Sequence, residues 1–463
     1  MDISTSTQPF FYLKKTGARS RIFQESGTGP LHQVKWGDFV IRTVLLAILL
    51  TFTFLSNAFA TVQEKAAFIR HDDLWIKINN KEGRLTKGEY VRYPKWSYDG
   101  QWLAYLKAVK QDGNIVYDGE LWLCNLHTNK HFKMASKVNR NFQWSGRNNK
   151  LAYLINRTLY VVDTKPSKSL VASTLAQGVE NFSWLPNGDG LLISAKKSEQ
   201  LHSDINLSRV MLEVDRQRPI LKNLFTIPVG EDEYFVSTSS FKWSSDKGWI
   251  SFLLIPTASM SADANTLCLL SADGAVFKKV DEMLNYAEWM QWAPAGTNLA
   301  YIGGVGREAT YNKHLLLVRP TTLKKELITP AKGYADRDLV WKNETVVIVS
   351  RSAESKEGRL DERPFPQLLE VNLLTEKQKQ ITFPPKNKGD FVPMVRKEQL
   401  FWIRTDRQKA DVLTSHFNKR EKHWIKNITV PSSYYEKWNW EEVFDLYTGV
   451  MHGDGSHALF NPK

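Results

Sequence analysis

The stretch YPKWSYDGQWLAYL, Tyr93 to Leu106, reads as two short strands around a tight turn. Trp96 ends one extended segment, and Ser97 to Gln101 supplies Asp-Gly turn chemistry. Leu103 and Tyr105 then resume an alternating apolar run. One hairpin declares no function, so its recurrence decides what the chain is.

The pattern recurs. FQWSGRNNKLAYL places Trp144, FSWLPNGDGLLIS Trp184, FKWSSDKGWISFL Trp243 and MQWAPAGTNLAYI Trp292. LVWKNETVVIVS places Trp341 with a shorter turn, and FVPMVRKEQLFWIR carries Met394 near the tryptophan position. The tryptophans are 48, 40, 59, 49 and 49 residues apart. Each repeat holds about four strand signals, the third visible in GELWLCNL, RTLYVVDT and NTLCLLSA. Such units bury both faces only by stacking, and blades around an axis achieve that. The fold class expected is all-β, a propeller of seven or eight four-stranded antiparallel blades. Eight requires that Ala66–Gly88 be completed by a first strand from the C-terminal region, with YYEKWNWEEVF (Tyr434–Phe444) the candidate. The repeat tryptophans read as packing residues between blades.

These residues resemble the P-x-W-S-P-D-G-x-x-[IL]-A-[FY] repeats of TolB-type β-propellers, which also build the propellers of prolyl-oligopeptidase-like enzymes. The resemblance covers about residues 66–405. The turn proline survives only as Pro294 and a displaced Pro186. What the resemblance implies is the fold, not the role of TolB at an outer membrane.

The 463 residues are 42% hydrophobic, enough for a large core, and 12% aromatic, which suits strands. Cys124 and Cys268 fall at similar places in different repeats and read as buried free thiols, too far apart to pair. The formal charge is +13. Residues 1–60 carry six Lys/Arg against three Asp/Glu, leaving about +10 for the rest. With the basic residues scattered, that balance suits an anionic envelope polymer better than nucleic acid.

Residues 1–60 read as a leader. The apolar core Val44–Leu55 follows Lys35 and Arg42 and precedes Ala58-Phe59-Ala60, an A-x-A cleavage site that would leave Thr61 first. The expected location is extracytoplasmic, with an uncleaved anchor as the alternative. A translation start at Val34 would account for the polar stretch that precedes the leader core. Residues 61–430 are assigned to the propeller, and 431–463 to a C-terminal segment that closes the ring or hangs from it.

No G-x-S-x-G, H-E-x-x-H or C-x-x-C occurs. No cofactor and no metal are expected. His127 and His131 read as parts of an exposed turn, and the Asp-Gly segments as hairpin turns rather than calcium loops. The least regular segments are Ser198–Glu233, Gly304–Lys313 and Ser352–Pro366. The residues before the repeat tryptophans are Lys95, Gln143, Ser183, Lys242, Gln291 and Val340, and strand alternation turns them toward the axis. Lys95, Lys242, Gln143 and Gln291 are therefore the candidate ligand-binding residues. With no paired carboxylates in view, the function expected is a non-enzymatic, monomeric scaffold that docks a protein, a peptide or an anionic envelope ligand. A propeller lyase or hydrolase with its site at the channel mouth is the alternative.

Overall fold

A computed structural model of the chain describes residues 64–111, 114–165, 170–212, 219–328, 332–417 and 419–449. The leader, its cleavage site and the Val34 start lie outside them.

Eight antiparallel blades form the propeller. Blades 1 to 7 follow one another along the chain. Their innermost strands are Val91–Trp96, Phe142–Trp144, Asn181–Trp184, the broken Phe235–Thr238 and Lys242–Trp243, Met290–Trp292, Tyr334–Trp341 and Gly389–Arg396. Blade 8 is composite. Lys65–Arg70, Asp73–Ile78 and Lys81–Arg84 supply its outer three strands, and Phe444–Leu446 pairs with the first of them through Ala66↔Leu446 and Phe68↔Phe444. Eight blades therefore hold, and the C-terminal region closes the ring with a strand that begins at Phe444, the last residue of the segment proposed from sequence.

Local chemistry explains the hairpins. Ser97 Oγ donates to Asp99 Oδ1 at 2.7 Å, while Gln101 N donates to the same oxygen and Trp102 N to Ser97 Oγ. Gly100 turns at φ +65°, with Tyr447 against the place a Cβ would take. Ser244, Asp246, Gly248 and Trp249 rebuild the same turn in blade 4.

The repeat tryptophans sew the blades together. Trp144 Nε1 donates to Lys95 O, Trp184 to Gln143 O, Trp292 to Lys242 O and Trp341 to Gln291 O, all at 2.9–3.0 Å. Trp96 closes the ring by donating to Asp445 O at 3.2 Å. Trp243 breaks the rule, its indole N–H having no acceptor. There the inner strand of blade 4 is interrupted, and Phe241 N donates to Ser183 Oγ instead.

Both cysteines are buried free thiols. The expected exposed turn at His131 is corrected. The residue lies in Lys130–Val138 with its ring between Tyr105 Oη at 2.8 Å and Cys124 Sγ at 3.6 Å. Burial lowers the affinity of this imidazole for a proton and pushes the Cys124 thiol up to about 12, so the cluster is packing rather than an activated nucleophile.

Candidate site at the closed end of the axial channel

Inner strands all start on one face of the ring, here the upper face, and run to the lower. Between blades 7 and 8 the chain makes a long excursion on the upper face. Thr429 N donates to Ile69 O and Ile69 N donates to Val443 O, so both ends of the excursion meet at one residue. In between, the strap crosses blades 5, 6 and 7. Ala309 N donates to Tyr435 O, and Tyr286 Oη donates to Trp438 O at 2.7 Å. Glu436 lies between Arg337 and Arg407, at 3.0 and 2.7 Å. Trp438 stacks on Trp440 at 5.8 Å, and Trp440 meets Phe391 at 6.4 Å. These rings make an apolar plug, and Tyr286, whose hydroxyl bonds the strap, meets Trp289 edge-on at 5.4 Å.

The irregular Gly304–Lys313 and Ser352–Pro366 segments belong to this upper face and support the strap. Lys313 is fully buried, and its ammonium donates to the carbonyls of Val305, Gly306 and Tyr311 within 3.0 Å. That cation organises its own loop.

Two 3₁₀ turns meet over the axis beneath the plug. Ala287–Trp289 leads into the inner strand of blade 5, and Trp440–Glu442 into that of blade 8. They bring Glu288 and Glu441 into hydrogen-bond contact across the channel. Lys242 Nζ stands 3.8 Å from Glu288 Oε1, and Lys95 Nζ 3.9 Å from Glu441 Oε2. The glutamate side chains keep 44% and 49% of their surface open, so they face a channel rather than a sealed core.

Electrostatics divides the pair. The Glu288 charge, and then burial, push Glu441 up to about 8. Burial opposes the charge on Glu288, but Lys242, the hydrogen bond from Glu441 and Lys95 outweigh it and hold its carboxyl below the usual range. Near neutral pH one carboxyl keeps its proton while the other is ionised. The expectation that the chain lacks paired carboxylates is overturned. Glu288 and Glu441 lie 153 positions apart and sit in no motif, so only ring closure makes them neighbours.

A cavity of about 480 Å³ runs from Glu441 down the inner strands of blades 8, 1 and 2. Lys95, Gln143 and Asp445 line its wall, while Trp96, Ser97 and Tyr98, Trp144 to Gly146 and Tyr447 to Gly449 surround its lower end. Burial pushes Asp445 up to about 6, although Trp96 N donates to it at 2.9 Å and Lys95 favours its charge.

The four residues proposed from sequence divide here. Lys95 and Gln143 line the cavity; Lys242 joins the carboxyl pair from the far side. Gln143 Nε2 donates to Phe182 O and Gln291 Nε2 to Leu339 O, which ties both amides to the next blade. Glu288, Glu441 and Asp445 accompany the lysines, so the lining is not the open positive surface that the lysines alone suggest. Among the described residues no cluster of His, Cys, Asp and Glu is arranged to hold a metal ion.

No family model matches the chain, and no curated protein does. Solved structures do. Puromycin hydrolase matches with a TM-score of 0.47 at 13% identity, over 75% of this chain and 55% of that one. An oligogalacturonate lyase from Vibrio parahaemolyticus matches with 0.42 at 14%, over 79% and 97%. TolB from Acinetobacter baumannii matches with 0.33 at 11%, over 68% and 62%. The chain spans about half the length of puromycin hydrolase. What these likenesses share is the fold, and the protein is an eight-bladed β-propeller. The TolB-type resemblance holds at that level and defines no family. The expectation of a protein that is not an enzyme is corrected. That expectation rested on the lack of paired carboxyls, and Glu288 and Glu441 form such a pair.

Proposed function

We propose that the protein is a propeller enzyme, a hydrolase whose general acid and general base are Glu441 and Glu288. The observation that carries this reading is the pairing of Glu288 with Glu441 between Lys242 and Lys95, with Glu441 at the head of the cavity. Spacing narrows the chemistry. Carboxyls that flank a glycosidic bond stand about 5–5.5 Å apart for retention and about 6.5–9.5 Å for inversion. A pair in direct hydrogen-bond contact instead works on one side of the substrate. There the ionised Glu288 takes a proton from water as that water attacks, and Glu441 gives its proton to the leaving group.

The cavity volume falls within the usual range for small-molecule sites, about 300–1,000 Å³. Its mixed aromatic and carboxyl lining suits a polar substrate with apolar faces. Export completes the proposal: cleavage after Ala60 places this chemistry outside the cytoplasm, and mass spectrometry of the exported protein should find Thr61 first.

The test is a panel of small blocked peptides, amides and esters between pH 5 and 8, run on the wild type, E441Q and E288Q. Turnover that falls at least a hundredfold in both variants supports the reading. Absence of turnover across the panel, or turnover indifferent to both substitutions, argues against it.

A further inference from the structure

We infer that the carboxyl pair is reached through one mouth only, on the lower face, so that the site takes small molecules and free chain ends and excludes the interior of a polymer. This names the substrate class of the proposed enzyme and rests on that reading only in calling the occupant a substrate.

Three observations carry it. First, the contacts that close the upper end span the ring instead of hugging one wall. The Glu288–Glu441 contact joins the turns that enter blades 5 and 8, three positions apart around the ring, and the Tyr286–Trp438 bond ties the strap above it to the blade 5 side. Second, the strap above those contacts is anchored where loosening is costly. Arg337, Glu436 and Arg407 are each 7% exposed or less, and Trp289, Trp438 and Trp440 are no more than 5% exposed. A chain threaded through the ring would have to displace all of these. Third, the cavity lining continues from Glu441 to the Trp-Ser turns at the ends of the inner strands, and those turns define the lower face. A dead end admits only what has an end of its own.

The entrance can be mapped without a known substrate. Cys124 and Cys268 are wholly buried, with burial holding both thiols in the protonated form, so an introduced cysteine is the reactive one. Gln143→Cys places a thiol in the cavity wall, and Lys95→Cys serves as a second reporter should the first fold poorly. Three probes are compared: methyl methanethiosulfonate, a maleimide at the end of a linear polyethylene glycol, and the same maleimide midway along that polymer. Labelling is expected from the first two and not from the third.

Gly146→Trp then plugs the mouth. Gly146 has open space where a Cβ would stand, so the large ring is accommodated. It should slow labelling by at least tenfold, whereas Tyr434→Trp on the exposed upper face should leave the rate unchanged. Labelling by the mid-chain reagent, indifference to Gly146→Trp, or failure of both reporters to react with the small reagent would each overturn the single mouth. Failure of the acid–base reading shows elsewhere, in E441Q and E288Q variants that retain activity.

Discussion

Trp144 donates its indole N–H to the backbone carbonyl of Lys95, 3.0 Å away across the seam between blades 1 and 2. The same bond recurs at Trp184, Trp292 and Trp341 and is missing at Trp243. A tryptophan-to-phenylalanine change keeps most of the packing and deletes the donor. A net hydrogen bond contributes about 1 kcal/mol. W144F and W292F should therefore each lose about 1 kcal/mol more than W243F in urea unfolding. Equal losses at all three would mean that the seams are held by ring packing alone.

Glu436 lies between Arg337 and Arg407, and the three side chains are almost wholly withdrawn from solvent. Removing one partner of such a cluster strands the remaining charges, at about 3–5 kcal/mol. E436A should lower the denaturation midpoint sharply. D361A, which breaks the exposed Arg359–Asp361 pair, should leave that midpoint unchanged. A small effect of E436A would show that water reaches the arginines under the strap.

The blades were legible because tryptophan, turn and apolar strand recur at nearly fixed spacing, and the turn residues satisfy their own backbone. Blade number was not, because Phe444–Leu446 is a strand only by virtue of its partner Lys65–Arg70 at the other end of the described chain. The axial lysines were legible from strand alternation. Glu288 and Glu441 were not, because each lies in a 3₁₀ turn of ordinary composition and acquires chemistry from the other. Reading the lysines without their carboxylates led to a positively charged docking surface, whereas the structure compensates that charge.

The pair ties stability to pH, and the two carboxyls act in opposite senses. Glu441 binds its proton more tightly folded than unfolded, where glutamate titrates near about 4.3. Its contribution is complete below that value and is lost as pH rises toward about 8. Glu288 binds its proton less tightly when folded, so its contribution is present above the unfolded value and is lost as pH falls. E441Q should flatten the decline in unfolding free energy between about pH 5 and 8. An E441Q curve parallel to that of the wild type would show that the proton on Glu441 is not linked to folding.

Catalysis should carry the same signature. The proposed hydrolase needs Glu288 ionised and Glu441 protonated, so its rate should be bell-shaped in pH. The acid limb should lie below the usual glutamate range, because Lys242 and the Glu441 hydrogen bond favour the Glu288 charge. The alkaline limb should fall near pH 8, where Glu441 gives up its proton. Loss of a general acid or base costs about a hundredfold to ten-thousandfold in rate. E441Q should thus lower kcat by at least a hundredfold and abolish the alkaline limb, since its amide has no proton to lose in this range. D445N removes a cavity carboxyl outside the pair, so it should keep both limbs and change KM more than kcat. A D445N profile that loses a limb, with E441Q still bell-shaped, would move the acid–base role from the axial pair to Asp445.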